Sequence, residues 1–130
     1  ISVMGFEYKI DIENNLVRNR WTGPIPLDQF VSQSRRVTDD PDYQSGMNTL
    51  SDCRDADWSA ESESAHEFVW HTEMLERSRG PAKWAVLVRD AEMSDSVEMF
   101  NMVLKQRGVR IEARAFVSEA EALAWLGIEG

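Results

Sequence analysis

Cysteine is almost absent from this sequence. Cys53 is the only one, so no internal disulfide can form. A lone thiol inside a predicted strand is typical of buried packing rather than of a nucleophile. The longest apolar run, Trp84–Val88, is far too short to cross a bilayer. The first residues also lack the basic flank and apolar core of a signal peptide. We therefore expect a cytoplasmic protein.

Basic residues are scarce as well. The chain has 14 Lys and Arg against 23 Asp and Glu, which gives a net charge of -9. The segment from Asp39 to Glu76 contains eleven carboxylates and only one Lys or Arg, which is Arg54. Such a segment repels phosphate backbones and anionic lipid, so nucleic acid is not an expected partner. Length and apolar content suit one hydrophobic core, and we expect a single domain over residues 1–130 with its core at about 6–127.

Alternation of apolar and polar residues predicts the strands. Phe6–Ile12 alternates clearly, and a turn at Asn14 and Asn15 leads to a returning strand, Leu16–Thr22. Met47–Arg54 is a weaker strand, because polar residues interrupt it. Lys83–Arg89 and Val109–Val117 complete the set, and the apolar run in Lys83–Arg89 makes it the natural centre of a sheet.

Helical spacing of apolar residues, with capping residues at the ends, predicts four helices. The first runs from Leu27 to about Asp39. The second begins at the N-cap Ser59 and ends before Gly80. Ser94 or Asp95 caps the third, which continues through Gln106, and Ser118 with Glu121 forms a capping box for the last.

These elements follow the order ββαβαβαβα. Crossover connections between parallel strands are almost always right-handed, so the strand-helix units should wind into one sheet. The sequence therefore predicts an α/β fold with a single, mostly parallel, five-stranded sheet. We expect Trp84–Val88 inside that sheet and Phe6–Ile12 antiparallel at an edge.

Three stretches, Asn15–Gly23, Leu50–Ala56 and Ala120–Leu126, together with this element order, resemble the SpoIIAA-like family. That bacterial family is related to the STAS domains of anti-sigma-factor antagonists and sulfate transporters. The resemblance extends from Tyr8 to Gly127. It implies a STAS-related fold, a non-catalytic binding or regulatory role, and association with nonpolar ligands or membranes.

The resemblance also implies a candidate phosphorylation site. Anti-sigma-factor antagonists carry a phosphorylatable serine in an Asp-Ser-(Ser/Ala)-Gly pattern between a strand and a helix. The matching stretch here is Asp57–Ala60, in which Trp58 intervenes and the glycine is missing. Ser59 is the matching serine, with Ser62 and Ser64 close by. Because acidic residues surround this segment, we predict that no strong phosphorylation switch operates there.

No catalytic or cofactor motif stands out. His66 and His71 are five positions apart, which separates them by ~140° on a helix, so joint zinc binding is not expected. The sequence has no glycine-rich phosphate loop and no Gly-x-Ser-x-Gly motif. We predict neither an enzyme, nor a cofactor, nor a metal. One alternative remains for the acidic cluster after the third strand, which could bind a divalent cation instead of capping a helix: Asp52, Asp55, Asp57, Glu61 and Glu63.

Trp and Met residues beside the core stripes of the second and third helices suggest a binding surface. We predict an apolar groove between these helices lined by Trp58, Trp70 and Met74, with Met99 or Met102 across from them. The alternative is a wide buried helix face. The groove favours binding of a nonpolar small molecule or a membrane surface, whereas the resemblance leaves open a protein-protein regulator of anti-sigma-antagonist type. A protein partner or a homodimer fits either function.

Overall fold

Strands and helices alternate in the predicted order ββαβαβαβα. The computed structural model describes residues 5–58 and 65–128. Within these ranges the strands are β1 (Gly5–Asp11), β2 (Leu16–Pro24), β3 (Asn48–Asp57), β4 (Ala82–Leu87) and β5 (Ile111–Phe116). The helices are α1 (Leu27–Thr38), α2 (Ala65–Arg79), α3 (Ala91–Gln106) and α4 (Glu119–Trp125). Ser59, the predicted N-cap of the second helix, lies outside the described residues.

The five strands form one sheet in the order β1-β2-β3-β4-β5. β1 pairs antiparallel with β2, and every other neighbouring pair is parallel. This confirms the predicted α/β class, the edge position of β1 and the interior position of β4. The prediction that Lys83–Arg89 forms the centre of the sheet is wrong, because β3 occupies the middle and β4 lies next to the edge strand β5.

The helices cover the two faces of the sheet unequally. Each parallel connection moves one strand further in the same direction, so right-handed crossovers place α1, α2 and α3 on one face. On that face Phe30 of α1 and Met93 of α3 belong to the same buried cluster as Trp21. On the opposite face Ala122 of α4 packs with Leu87. We name the first face the three-helix face.

Left-handed backbone conformations occur at several turns, and two of them bear on the predicted elements. Asn15 adopts φ 53° in the hairpin between β1 and β2, as its position in the predicted turn requires. Gly80 adopts φ 81° directly after α2, where a side chain would be strained, and this ends the helix before Pro81.

The start of α3 differs from the prediction. Asp90 is the N-cap, and its carboxylate accepts a hydrogen bond of 2.9 Å from the backbone N–H of Met93. Ser94 and Asp95 therefore lie inside the helix. The earlier start is favoured because it brings Met93 into the buried cluster of the three-helix face. In contrast, Ser118 caps α4 as predicted.

Candidate functional site

A cleft of about 290 Å³ opens between α1 and α2 on the three-helix face. Its walls include the side chains of Phe30 and Val31 from α1 and of Met74 and Leu75 from α2. Polar residues complete its lining: Ser34, Arg35, Thr38, Asp39, His71 and Ser78. The cleft therefore combines apolar walls, which can hold a small organic ligand, with polar groups that can orient it.

Arg79 joins α1 to α2 next to this cleft. Its Nε donates a hydrogen bond of 2.8 Å to Thr38 Oγ1, and its Nη2 donates one of 2.7 Å to the carbonyl oxygen of Ser34. The guanidinium also lies 5.0 Å from the centre of the Tyr43 ring. Burial lowers the pKa of Arg79. These contacts hold the C-terminal ends of the two helices together and fix one end of the cleft.

A smaller chamber of about 50 Å³ lies between the helices and the sheet. It shares Phe30, Ser34 and Leu75 with the cleft, so the two spaces have a common wall. Aromatic rings form much of its lining: Phe6, Trp21, Phe30 and Trp84. Asn19 also lines the chamber, and its Oδ1 is buried without a hydrogen-bond partner among the residues described. An unpaired buried acceptor in an aromatic chamber is unusual, since such groups normally have a partner.

The five predicted groove residues do not share one site. Met74 lines the cleft, which faces α1 rather than α3. Trp58 is partly buried and packs against the main core cluster. Trp70, Met99 and Met102 are exposed on α2 and α3. As ligand contacts all five remain predictions.

Cys53 is buried, as the sequence indicates. Burial raises the pKa of its thiol to about 12, so the thiol is protonated at neutral pH. Such a group is a poor nucleophile.

Two carboxylates of β3 are engaged by arginines. Asp52 forms an ion pair of 2.8 Å with Arg54, and Asp55 forms one of 2.6 Å with Arg20. Hydrogen bonds from Arg54 lower the pKa of Asp52. Over residues 5–58 and 65–128, no three His, Cys, Asp or Glu side chains are grouped so that they could hold a metal ion. Glu61 and Glu63 lie outside these ranges.

The two histidines have different surroundings. His66 is exposed, whereas His71 is half-buried and lines the cleft. The ring of His71 contacts that of Trp70 edge to face, with 4.7 Å between the ring centres. That they do not bind zinc together remains a prediction.

No family model matches the chain, and no curated protein matches it. A solved structure does. It is an uncharacterized protein of the DUF3478 family, with a SpoIIAA-like fold, from Shewanella loihica. The two structures align with a TM-score of 0.62 over 95% of this chain and 95% of the other, at 13% sequence identity. The chain has a SpoIIAA-like fold. The predicted resemblance is thus confirmed for the SpoIIAA-like architecture.

Among the helices of the described ranges, none is both long enough and apolar enough to cross a membrane.

Sequence reasoning missed Arg79 and Asn19. Asn19 stands between Val17 and Trp21 in the alternation of β2, so an inward direction could have been inferred from period two alone. The sequence around Arg79 contains no comparable pattern that would indicate an inward side chain. Arg79 stands at the end of a helix, where an exposed basic residue that complements the helix dipole is the ordinary expectation.

Proposed function

We propose that this SpoIIAA-like chain is a non-catalytic domain that binds a small nonpolar ligand in the cleft between α1 and α2. The observation that supports the proposal is the cleft itself, whose apolar walls come from Phe30, Val31, Met74 and Leu75. Its volume is near the lower end of the range for ligand pockets, so the ligand is small. The buried, protonated Cys53 offers no nucleophile for a reaction.

Met74 is the side chain best suited to hold the ligand. It is half-buried in the cleft wall, and its flexible thioether can adjust to different ligand shapes. Covering one such side chain contributes roughly 1.5 to 3 kcal/mol. The polar residues around the cleft would orient a single polar group on the ligand.

A neutral fluorescent probe, N-phenyl-1-naphthylamine, tests this function. We expect saturable binding to the wild type, weakened about tenfold by Met74→Ser, because 1.4 kcal/mol corresponds to a factor of ten. The control is Val117→Ser, since Val117 is 67% exposed just after β5 and lies outside the cleft lining. The proposal fails if the wild type does not bind the probe, or if the two variants weaken binding equally.

A protein-protein regulator of anti-sigma-antagonist type is the second candidate. The SpoIIAA-like fold favours it. Such a regulator would be identified by stoichiometric phosphate on Ser59 after incubation with the host's anti-sigma-type kinases. Mass spectrometry of the intact protein and of its peptides would detect that phosphate.

A further inference from the structure

Three large apolar side chains lie exposed on α2 and α3. Trp70 is 50% exposed, Met99 63% and Met102 55%. We name these three residues the outer patch. Exposed apolar residues scattered singly are common, but a continuous patch on a soluble domain indicates a contact surface.

The position of α2 relative to α3 indicates that the outer patch is one surface. Arg107, which caps α3, bonds to Glu73 of α2 across a sequence separation of 34 residues. The same offset of 34 residues places Trp70 of α2 at the same height along the helix axes as Leu104 of α3. Met102 is two residues earlier, which is about 3 Å along the helix axis. Neighbouring helices are about 8 to 10 Å apart, so side chains as long as Trp and Met can share a surface.

Charges on α3 flank the outer patch in a definite order. Met102 follows Glu98 by four residues and precedes Lys105 by three, so the three side chains lie along one stripe of the helix. Both Glu98 and Lys105 are exposed, and neither takes part in an ion pair within the described part of the chain. Toward the C-terminus of α3, the stripe therefore presents an acidic, then an apolar, then a basic side chain. A second copy of the helix that runs in the opposite direction presents the complementary order of charges.

We propose that the outer patch is the interface of a homodimer, in which α3 packs antiparallel against α3 of a second copy. The two-fold axis lies in the interface and passes near Met102. Glu98 of each copy then faces Lys105 of the other, which gives two equivalent ion pairs. The same symmetry brings Met99 of the second copy level with Trp70. This is the self-complementary surface that a two-fold dimer requires.

The charge pattern selects a second copy over other occupants. The net charge of -9 disfavours an anionic membrane and also repels a second copy, so the local pattern of Glu98 and Lys105 is what favours the dimer. A neutral membrane would satisfy the apolar side chains but would leave Glu98 and Lys105 without partners. The outer patch has only three large apolar side chains, so the dimer is weak and depends on concentration.

Sedimentation velocity of the full chain tests the dimer between about 10 µM and 1 mM, at about 0.15 M salt. We expect a concentration-dependent dimer in the wild type. Glu98→Lys and Lys105→Glu should each raise its dissociation constant at least about tenfold, because each places like charges opposite one another. The double variant should return to within about threefold of the wild type.

The controls are matched in charge and in exposure. Glu112→Lys makes the same charge change as Glu98→Lys on an exposed residue of β5, and should leave the dimer unchanged. Trp70→Ala should weaken the dimer, whereas Val117→Ala, at a residue 67% exposed elsewhere, should not. The proposal is overturned if the wild type stays monomeric, if either single charge change has no effect, or if the double variant fails to restore association. Co-sedimentation of a monomeric wild type with phosphatidylcholine vesicles would assign the outer patch to a membrane instead.

Discussion

The indole N–H of Trp84 donates a hydrogen bond of 2.8 Å to the hydroxyl oxygen of Ser51. Ser51 lies fully buried in β3, the middle strand, and Trp84 lies on the neighbouring strand β4. The hydroxyl gives the partly buried indole a partner, and a buried hydroxyl is tolerated because it is itself hydrogen-bonded. The pair thus accounts for a polar residue at the centre of the sheet.

Ser51→Ala should destabilise the protein by roughly 1 to 3 kcal/mol, because it leaves the Trp84 N–H without its acceptor. Urea unfolding followed by circular dichroism measures the change in the free energy of unfolding. Ser32→Ala, at an exposed position of α1, should change it by less than about 0.5 kcal/mol. Equal values for the two variants would mean that the hydrogen bond contributes nothing measurable.

The same pair explains what the sequence could and could not predict. Local patterns predicted the element order and the edge strand, because period two and helical spacing are local properties. They could not place β3 at the centre, since Ser51 looks unfavourable until its partner on β4 is known. They also indicated Ser94 or Asp95 as the cap of α3, whereas the cap is Asp90, because burial of Met93 decides where the helix begins.

The candidate site was less predictable than the fold. The sequence indicated that Met74 lies beside the core stripe of its helix, but not which neighbouring helix it faces. That depends on how α1 and α2 pack, and Arg79 contributes to that packing through contacts across a sequence separation of 45 residues to Ser34. Contacts of this kind leave no periodic signal in the sequence.

Arg79→Met should destabilise the protein by about 1.5 to 3 kcal/mol. The substitution retains an apolar stem but removes both hydrogen bonds to α1, and bonds from charged donors contribute in this range. It should also weaken probe binding in the cleft, because the ends of α1 and α2 are no longer joined. Arg77→Met is the control on the same helix, since Arg77 is exposed and has no ion pair within the described ranges. A loss below about 0.5 kcal/mol for Arg79→Met would contradict this role.

The ionised side chain of Glu76 should stabilise the folded protein near neutral pH, and this stabilisation should be lost in acid. A backbone hydrogen bond of 2.7 Å from Arg110 is the main cause that lowers the pKa of Glu76 from its usual 4.5. A carboxylate with a lowered folded-state pKa stabilises the protein above the unfolded pKa, and this stability is lost as the pH falls through the folded value. Glu76→Gln should therefore be less stable than the wild type near neutral pH, and the difference should shrink as the pH falls below 4.5 and through the lowered folded-state pKa.

Unfolding by urea at several pH values measures this difference. Glu112→Gln is the comparison, because Glu112 is exposed and its side chain has no hydrogen bond or ion pair in the part of the chain that the structure describes. A gap between Glu76→Gln and wild type that stays constant from neutral to acid pH would show that ionisation of Glu76 is not its source.

Asn19→Val should stabilise the protein by about 0.5 to 2 kcal/mol. The buried Oδ1 of Asn19 lacks a hydrogen-bond partner among the described residues, and it lines the aromatic chamber beneath the cleft. Valine removes the unpaired acceptor, suits a strand better and has no polar atom to leave unsatisfied. Asn48→Val is the control with the opposite sign, because Asn48 Oδ1 accepts a hydrogen bond of 2.8 Å from the backbone N–H of Lys83. If Asn19→Val is instead destabilised as much as Asn48→Val, then Oδ1 has a partner in solution, such as an ordered water. Loss of probe binding in a stabilised Asn19→Val would show that the ligand reaches through the cleft into the chamber, since residues kept at a cost in stability are those that function requires.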